Sequence, residues 1–262
     1  MAFGDEPLDL SEYREQYRAA DWPSGRAPDG WGLWLDFHVV PLAFDGWDAK
    51  IVQVFRESAR RSVLLLRAGS RGDSGRIATI TIVESPSIVD AHEALLEDLA
   101  NNMAEVVPAS TRGLDVGDVA YTDGGNEARL VMFARDNLTV RVGSTGPHAA
   151  DPTPLATAID SAIVRPYSPV AGAGPLIEVF VVPASAVAGR PAPIDLSVRR
   201  ASGRGGGEQP IARRLRSGAG PLDVTTGRIQ LIPQRAGSHT VTLTAITGEG
   251  GASVASSAIL VT

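Results

Sequence analysis

The chain has 262 residues, a formal net charge of −6 at pH 7, 44% hydrophobic and 21% charged residues, and no cysteine. A chain of this length can bury a core large enough to fold without metals or disulfides. Acidic and basic residues are interleaved, so the sequence lacks the basic footprint of a nucleic-acid-binding protein, and no apolar run is long enough to span a bilayer. The composition therefore excludes disulfide-based folds and thiol chemistry, and it argues against nucleic-acid binding and membrane insertion.

The composition also bears on origin and compartment. Only Lys50 is a lysine among the 24 basic residues, and glycine is abundant. This usage is typical of a GC-rich bacterial genome. The amino terminus lacks the basic segment and apolar core of a signal peptide, and a cysteine-free chain suits the cytosol and the exterior equally well. The compartment stays open, and we expect envelope or extracellular if a leader was removed and cytoplasmic otherwise.

The first part of the chain predicts strands. A short amphipathic helix over residues 5–20 and a Pro/Gly-rich loop over 21–32 come first. Alternating or β-branched apolar residues then predict four strands, which we expect to form an antiparallel meander. These segments are 33–40, a strand beginning at Ile51, 62–67 and 76–84.

Two helices are predicted to lie on this sheet. The first is capped by Ser85 or Ser87, and the second is capped by Asp151 with Pro152 in its first turn. Large apolar side chains recur at helical spacing along one face of the first helix. They are Ile88, Leu95, Leu96, Leu99 and Met103.

Between the helices, residues 114–143 predict a hairpin with two open registers. A two-residue turn at Asp136 and Asn137 places Phe133 opposite Val140. A three-residue turn that includes Arg135 shifts the pairing and turns the opposite set of side chains toward the core. The sequence does not decide between these registers.

After residue 165 the helical signals end. Residues 166–175 are rich in proline and glycine and predict a linker, and residues 176–262 predict seven short strands of a β-sandwich. The segments AVAGRPAPIDLSV, TTGRIQLIPQRAGSHTVTLTA and SSAILVT resemble bacterial immunoglobulin-like modules. The resemblance implies a spacer, stalk or partner-binding unit and carries no catalytic residues. The predicted fold class is an α+β domain (1–165), an antiparallel sheet with two covering helices, followed by an all-β immunoglobulin-like sandwich (176–262).

No motif commits the chain to catalysis. His92 and Glu93 begin a helical zinc signature, but Leu96 stands where its second histidine is required. Neither a nucleophile elbow nor a phosphate-binding glycine loop is present. The sequence Arg71-Gly72-Asp73-Ser74 matches an integrin-binding tetrapeptide, which we interpret as coincidence in a chain rich in Arg and Gly. We predict no catalytic residue, metal or cofactor, and we lean against an enzyme.

The candidate binding residues lie in a tryptophan-rich segment and a basic loop. They are Trp22, Trp31, Trp34, Trp47, Arg199, Arg200, Arg204, Arg213 and Arg214. We expect a non-catalytic bacterial binding or structural protein that contacts a protein partner or self-assembles. One alternative is a carbohydrate-binding or glycan-processing protein that uses segment 31–48 with Asp36, Asp45 and Asp48. Another is a structural component of a phage tail or secretion machine.

Overall fold

A computed structural model describes residues 9–23, 30–57, 61–125, 128–168, 174–199 and 211–262. Strands make up 47% of the structure and helical segments 18%, and the strands form three sheets. The predicted fold class, an α+β domain followed by an immunoglobulin-like sandwich, was therefore wrong. The fold is mainly β, and its strands do not divide between the two parts of the chain as predicted.

The largest sheet has seven antiparallel strands. Their order is β2-β3-β4-β8-β7-β6-β5. The bounds are β2 Trp47–Arg56, β3 Ser62–Ser70, β4 Asp73–Glu84, β5 Val106–Pro108, β6 Val119–Asp123, β7 Leu130–Arg135 and β8 Leu138–Ser144. Strands β2, β3 and β4 follow one another through short connections, so the sheet is built largely from neighbouring segments of chain.

Helices cover both faces of this sheet. The short helix α1 (Ser11–Gln16) precedes α2 (Ile88–Ala100) and α3 (Thr153–Val164). The α2 residues Leu95 and Leu99 pack with Met132 of β7. The α3 residue Leu155 packs in a different cluster with Phe133, the next residue of β7. Because successive side chains of a strand point to opposite faces, α2 and α3 lie on opposite sides of the sheet.

Local sequence signals explain both helix starts. The Ser87 hydroxyl accepts a hydrogen bond from the Asp90 N–H at 3.1 Å, so Ser87 is the cap of α2. The Asp151 carboxylate accepts one from the Thr153 N–H at 2.9 Å, just before α3. The predicted apolar stripe of α2 is buried except for Met103, which lies beyond the end of the helix and is fully exposed.

Two smaller sheets face each other across a second core. The first has the order β1-β12-β15-β16-β10 and the second β13-β14-β11-β9. The bounds are β1 Trp31–Leu35, β9 Leu176–Val181, β10 Ser185–Ala186, β11 Ala192–Arg199, β12 Ile211–Ser217, β13 Leu222–Asp223, β14 Ile229–Leu231, β15 Gly237–Thr247 and β16 Ala252–Val261. Leu33, Leu215 and Leu243 from the first sheet meet Ile194 and Leu231 from the second.

Strand β1 shows why the predicted fold class failed. We expected residues 33–40 to start the meander of the first domain. Instead, β1 pairs antiparallel with β12, with Trp34 opposite Arg214, and residues Phe37–Val39 form a short 3-10 helix. Alternating apolar residues show that a segment is a strand, but they do not specify its partner. The five-stranded sheet therefore includes a strand from the beginning of the chain.

Within the described residues, no helix has the length and apolar character needed to cross a membrane. The predicted linker 166–175 includes residues 169–173, which lie outside the described part of the chain.

Candidate functional site

The four candidate tryptophans are held in separate environments. Trp31 and Trp34 are buried, at 6% and 0% exposure, and as alternating residues of β1 they lie one on either side of its sheet. Both are neighbours of an arginine: Arg235 lies 4.4 Å from the Trp31 ring centroid and Arg214 lies 5.3 Å from that of Trp34. Their burial gives them a packing role rather than that of an exposed stacking platform.

The other two tryptophans lie elsewhere. Trp22 is half-buried, donates its indole N–H to the Tyr17 carbonyl at 3.0 Å and packs edge-on against His92. Trp47 is half-buried at the start of β2. The structure therefore does not assemble the four tryptophans into one surface.

The acidic residues of the glycan hypothesis bind different arginines. Asp36 forms an ion pair with Arg213, and Asp48 forms one with Arg71 at 2.8 Å. Asp45 is exposed. Among the described residues, no group of three or more His, Asp or Glu side chains is placed to hold a metal ion.

The candidate arginines lie in different places and do not form one basic surface among the described residues. Arg199 forms an exposed ion pair with Glu178, and Arg200 and Arg204 lie outside the described residues. Arg213 and Arg214 are neighbours in β12 and point to opposite faces of its sheet. Arg213 reaches Asp36, whereas Arg214 donates to Asp136 at 3.2 Å.

The turn between β7 and β8 joins two sheets through side chains. Asp136 accepts the Gly32 N–H at 3.1 Å, and Asn137 accepts the Trp34 N–H at 2.6 Å. The Asn137 amide in turn donates to the Trp34 carbonyl at 2.9 Å and to the Ser85 carbonyl at 2.6 Å. These side chains form hydrogen bonds with backbone N–H and carbonyl groups on the free edge of β1, which would otherwise be unpaired.

Gly32 permits this approach. A Cβ atom at this position would lie 2.1 Å from an Asp136 carboxylate oxygen. A turn was predicted here, but nothing in its residues indicated that its side chains bind a strand about one hundred residues earlier.

A cluster of buried charges surrounds the same turn. Arg135 donates two hydrogen bonds to the Asp160 carboxylate, at 2.8 and 2.9 Å, and one to Asp118 at 2.9 Å. Asp118 also accepts the Asp136 N–H at 3.1 Å. Burial raises the pKa of the Asp118 carboxyl to about 6, although the Arg135 guanidinium acts in the opposite direction. The cluster ties α3, β7 and the residue preceding β6 together.

A cleft of about 570 Å³ lies between the seven-stranded sheet and the two smaller sheets. We call it the Glu84 cleft. Its lining includes Glu84 at the end of β4, the Asp36–Arg213 ion pair, Phe55 from β2 and Thr225 from the loop before β14. It therefore combines an apolar wall from β2 with charged groups from β4 and β12.

Glu84 is an acidic residue of this cleft with a raised pKa. Its carboxylate accepts the Asp36 N–H at 3.1 Å and the Phe37 N–H at 2.7 Å. Burial raises the pKa of the Glu84 carboxyl to about 7, and the Asp36 charge acts in the same direction; the two N–H donors and Arg213 act against them. Glu84 was not among the predicted site residues, because an acid at the end of a strand gives no sign of the backbone N–H groups that bind it in the folded chain.

We expect Glu84 to make stability fall as pH rises from about 4.5 to about 7. In this window the folded protein keeps a proton that the unfolded chain has lost, so protonation favours folding at low pH. The effect over the whole window is on the order of 3 kcal/mol. Urea unfolding below and above the window should show a smaller pH dependence for Glu84→Gln than for the wild type. Glu12→Gln, on the exposed helix α1, is the matched control, and an equal pH dependence in all three proteins would contradict the assignment.

One strand edge is open and apolar. Strand β2 is at the end of the seven-stranded sheet and, among the strands of the described residues, pairs with β3 alone. Ile51, Val52, Val54 and Phe55 are 57%, 59%, 42% and 39% exposed. Val52 is the extra residue of a bulge, since Ile51 and Gln53 pair with adjacent residues of β3. Val54 and Phe55 also line the Glu84 cleft, so the open edge and the cleft are continuous.

Comparison with known proteins gave no match to any protein-family model, curated protein or solved structure.

Proposed function

We propose that this chain is a non-catalytic binding or structural protein that acts through protein–protein contacts, and that the open edge of β2 is its contact surface. The main support for this proposal is that β2 carries four exposed apolar side chains. The backbone groups on its outer edge have no strand partner among the described residues. Edge strands of this kind are templates for pairing with another chain, and proteins usually shorten, charge or cover them.

The occupant we propose is a second copy of this chain, paired antiparallel along β2. Asp48 lies near one end of the strand and Arg56 is its last residue. An antiparallel arrangement brings the acidic end of one copy toward the basic end of the other, whereas a parallel arrangement brings like charges together. Antiparallel pairing therefore avoids placing identical charges opposite each other, although Asp48 is also paired with Arg71 in its own copy.

The same strand sets a limit on the strength of this contact. The bulge at Val52 interrupts the row of outward-pointing backbone groups, and Lys50 is a charged residue in the middle part of the edge. A short pairing of this kind buries a small area, so we expect a weak dimer that forms and dissociates with concentration. Such an interaction suits a component whose copies come together inside a larger bacterial assembly.

We expect light scattering over a wide concentration range to show a mass rising from 27.4 kDa toward twice that value. Val54→Lys places a charge on the contact surface of both copies and should weaken dimerisation at least about tenfold, the equivalent of 1.4 kcal/mol. Val89→Lys is the matched control, because Val89 is 66% exposed on α2, away from β2. A monomer at every concentration, or a dimer equally weakened by both substitutions, would contradict the proposal.

The absence of cysteine allows a second test with the same protein. A single cysteine introduced by Gln53→Cys lies at the centre of the proposed contact, so oxidation should link two copies at concentrations where dimer is present. Glu12→Cys, on the exposed helix α1, should not become linked at the same rate. Equal linking of the two variants would show that collisions in solution, rather than pairing of β2, join the copies.

A further inference from the structure

A small pocket of about 250 Å³ lies next to the segment that follows α3, on the face of the five-stranded sheet that points away from the core between the two smaller sheets. It is separate from the Glu84 cleft. Its polar lining includes Arg214 and Arg216 of β12, Thr242 and Thr244 of β15, and Arg165 and Tyr167. We call it the arginine pocket.

The register of β12 and β15 places these groups together. Arg214 is opposite Thr244, and Arg216 is opposite Thr242. The residues between them, Leu215 and Leu243, point into the core between the two smaller sheets. Because side chains alternate along a strand, both arginines and both threonines point to the opposite face, away from this core.

The walls of the pocket hold the guanidinium groups in place. Arg165 stacks on the Tyr167 ring at 4.6 Å, and Arg214 lies over Trp34 while donating to Asp136. Arg214 is only 5% exposed, and its Nε has no hydrogen-bond partner among the described residues. Burial lowers the pKa of the Arg214 guanidinium, and the neighbouring Arg216 charge adds to this effect, while Asp136 opposes it. A buried guanidinium with an unused donor is costly unless a further acceptor reaches that donor.

We propose that the arginine pocket binds a small oxyanion group, a phosphate or a carboxylate, between Arg165, Arg214 and Arg216. Guanidinium groups bind both kinds of group through paired, charge-assisted hydrogen bonds. The Thr240 and Thr244 hydroxyls can supply further donors, whereas the Tyr167 hydroxyl donates to the Ala162 carbonyl at 3.4 Å. The volume is below the usual range for drug-sized ligands, so the pocket accepts an anionic group rather than a large molecule. This site is independent of the proposed pairing through β2.

The test measures thermal unfolding of the full chain with sodium phosphate, sodium succinate or sodium chloride at equal ionic strength. A saturable rise in Tm with phosphate or succinate, beyond that with chloride, is expected, and the anion that produces it identifies the ligand class. Equal effects of all three salts would show general screening and would overturn the proposal.

Variants locate the effect in the pocket. Arg165→Gln removes an exposed guanidinium and Arg216→Gln a half-buried one, and each should weaken the apparent affinity about tenfold or more. Arg165→Gln is the safer variant for folding, because its side chain lies on the surface. Arg228→Gln, an exposed arginine outside the pocket, should leave the affinity unchanged. Binding that survives Arg165→Gln and Arg216→Gln, or that falls equally with Arg228→Gln, would overturn the assignment.

Discussion

Replacing Asn137 with alanine is expected to lower the free energy of unfolding by about 3 to 5 kcal/mol. Asn137 is fully buried, and its amide is hydrogen-bonded to the Trp34 N–H, the Trp34 carbonyl and the Ser85 carbonyl. Alanine leaves all three backbone groups buried and without these partners, and each unsatisfied group costs about 1 to 3 kcal/mol. The expected loss is a large share of the stability of an ordinary domain, which is about 5 to 15 kcal/mol.

Urea unfolding followed by tryptophan fluorescence measures this loss. Trp34 is fully buried beside Asn137, and its backbone N–H and carbonyl take part in two of the three hydrogen bonds. Asn101→Ala is the matched control: the Asn101 amide also donates to a backbone carbonyl, that of Glu97, but at an exposed helix end. It should change stability by about 0.5 kcal/mol or less. A similarly small change for Asn137→Ala would show that β1 keeps its position without these side chains.

The parts of the fold that depend on local sequence were predicted well. A turn at this place was predicted with two registers left open, and the structure has the two-residue turn at Asp136 and Asn137, because Phe133 pairs with Val140. This pairing excludes the register that a three-residue turn would give. Aspartate and asparagine tolerate the left-handed conformation, and Asp136 adopts it with φ of 52°. Ser87, one of the two predicted caps, begins α2. In each case the decisive atoms lie within a few residues of one another.

The parts that depend on distant contacts could not be predicted. Strand β1 was recognised as a strand, but its pairing with β12 joins residues about 180 positions apart, as in Leu35 opposite Arg213. No local pattern specifies such a partner. The same limit applies to the candidate site: Trp31 and Trp34 were proposed as binding residues because of their type, and the burial of Trp34 follows from the position of β1, where Trp34 packs in the first core and Leu33 in the second.

Replacing Arg135 with methionine is expected to cost about 3 to 5 kcal/mol, for a reason different from that at Asn137. Arg135 is 7% exposed and contacts two buried carboxylates, Asp160 on α3 and Asp118 before β6. Methionine fills much of the same space but leaves both carboxylates without their cation. A buried charge that has lost its partner is more costly than the original pair, because the desolvation penalty stays while the attraction is gone.

The pH dependence distinguishes this explanation from a loss of packing. If an uncompensated carboxylate causes the loss, protonation of Asp118, whose pKa burial raises to about 6, relieves part of it, so the difference between Arg135→Met and the wild type should shrink as pH falls below this value. The double variant Arg135→Met/Asp160→Leu removes one of the two charges and should be more stable than Arg135→Met at neutral pH. Arg190→Met, an exposed arginine, is the matched control and should change stability little. A loss that is independent of pH, and that is not reduced in the double variant, would mean that Arg135 stabilises the fold through its packing and not through its charge.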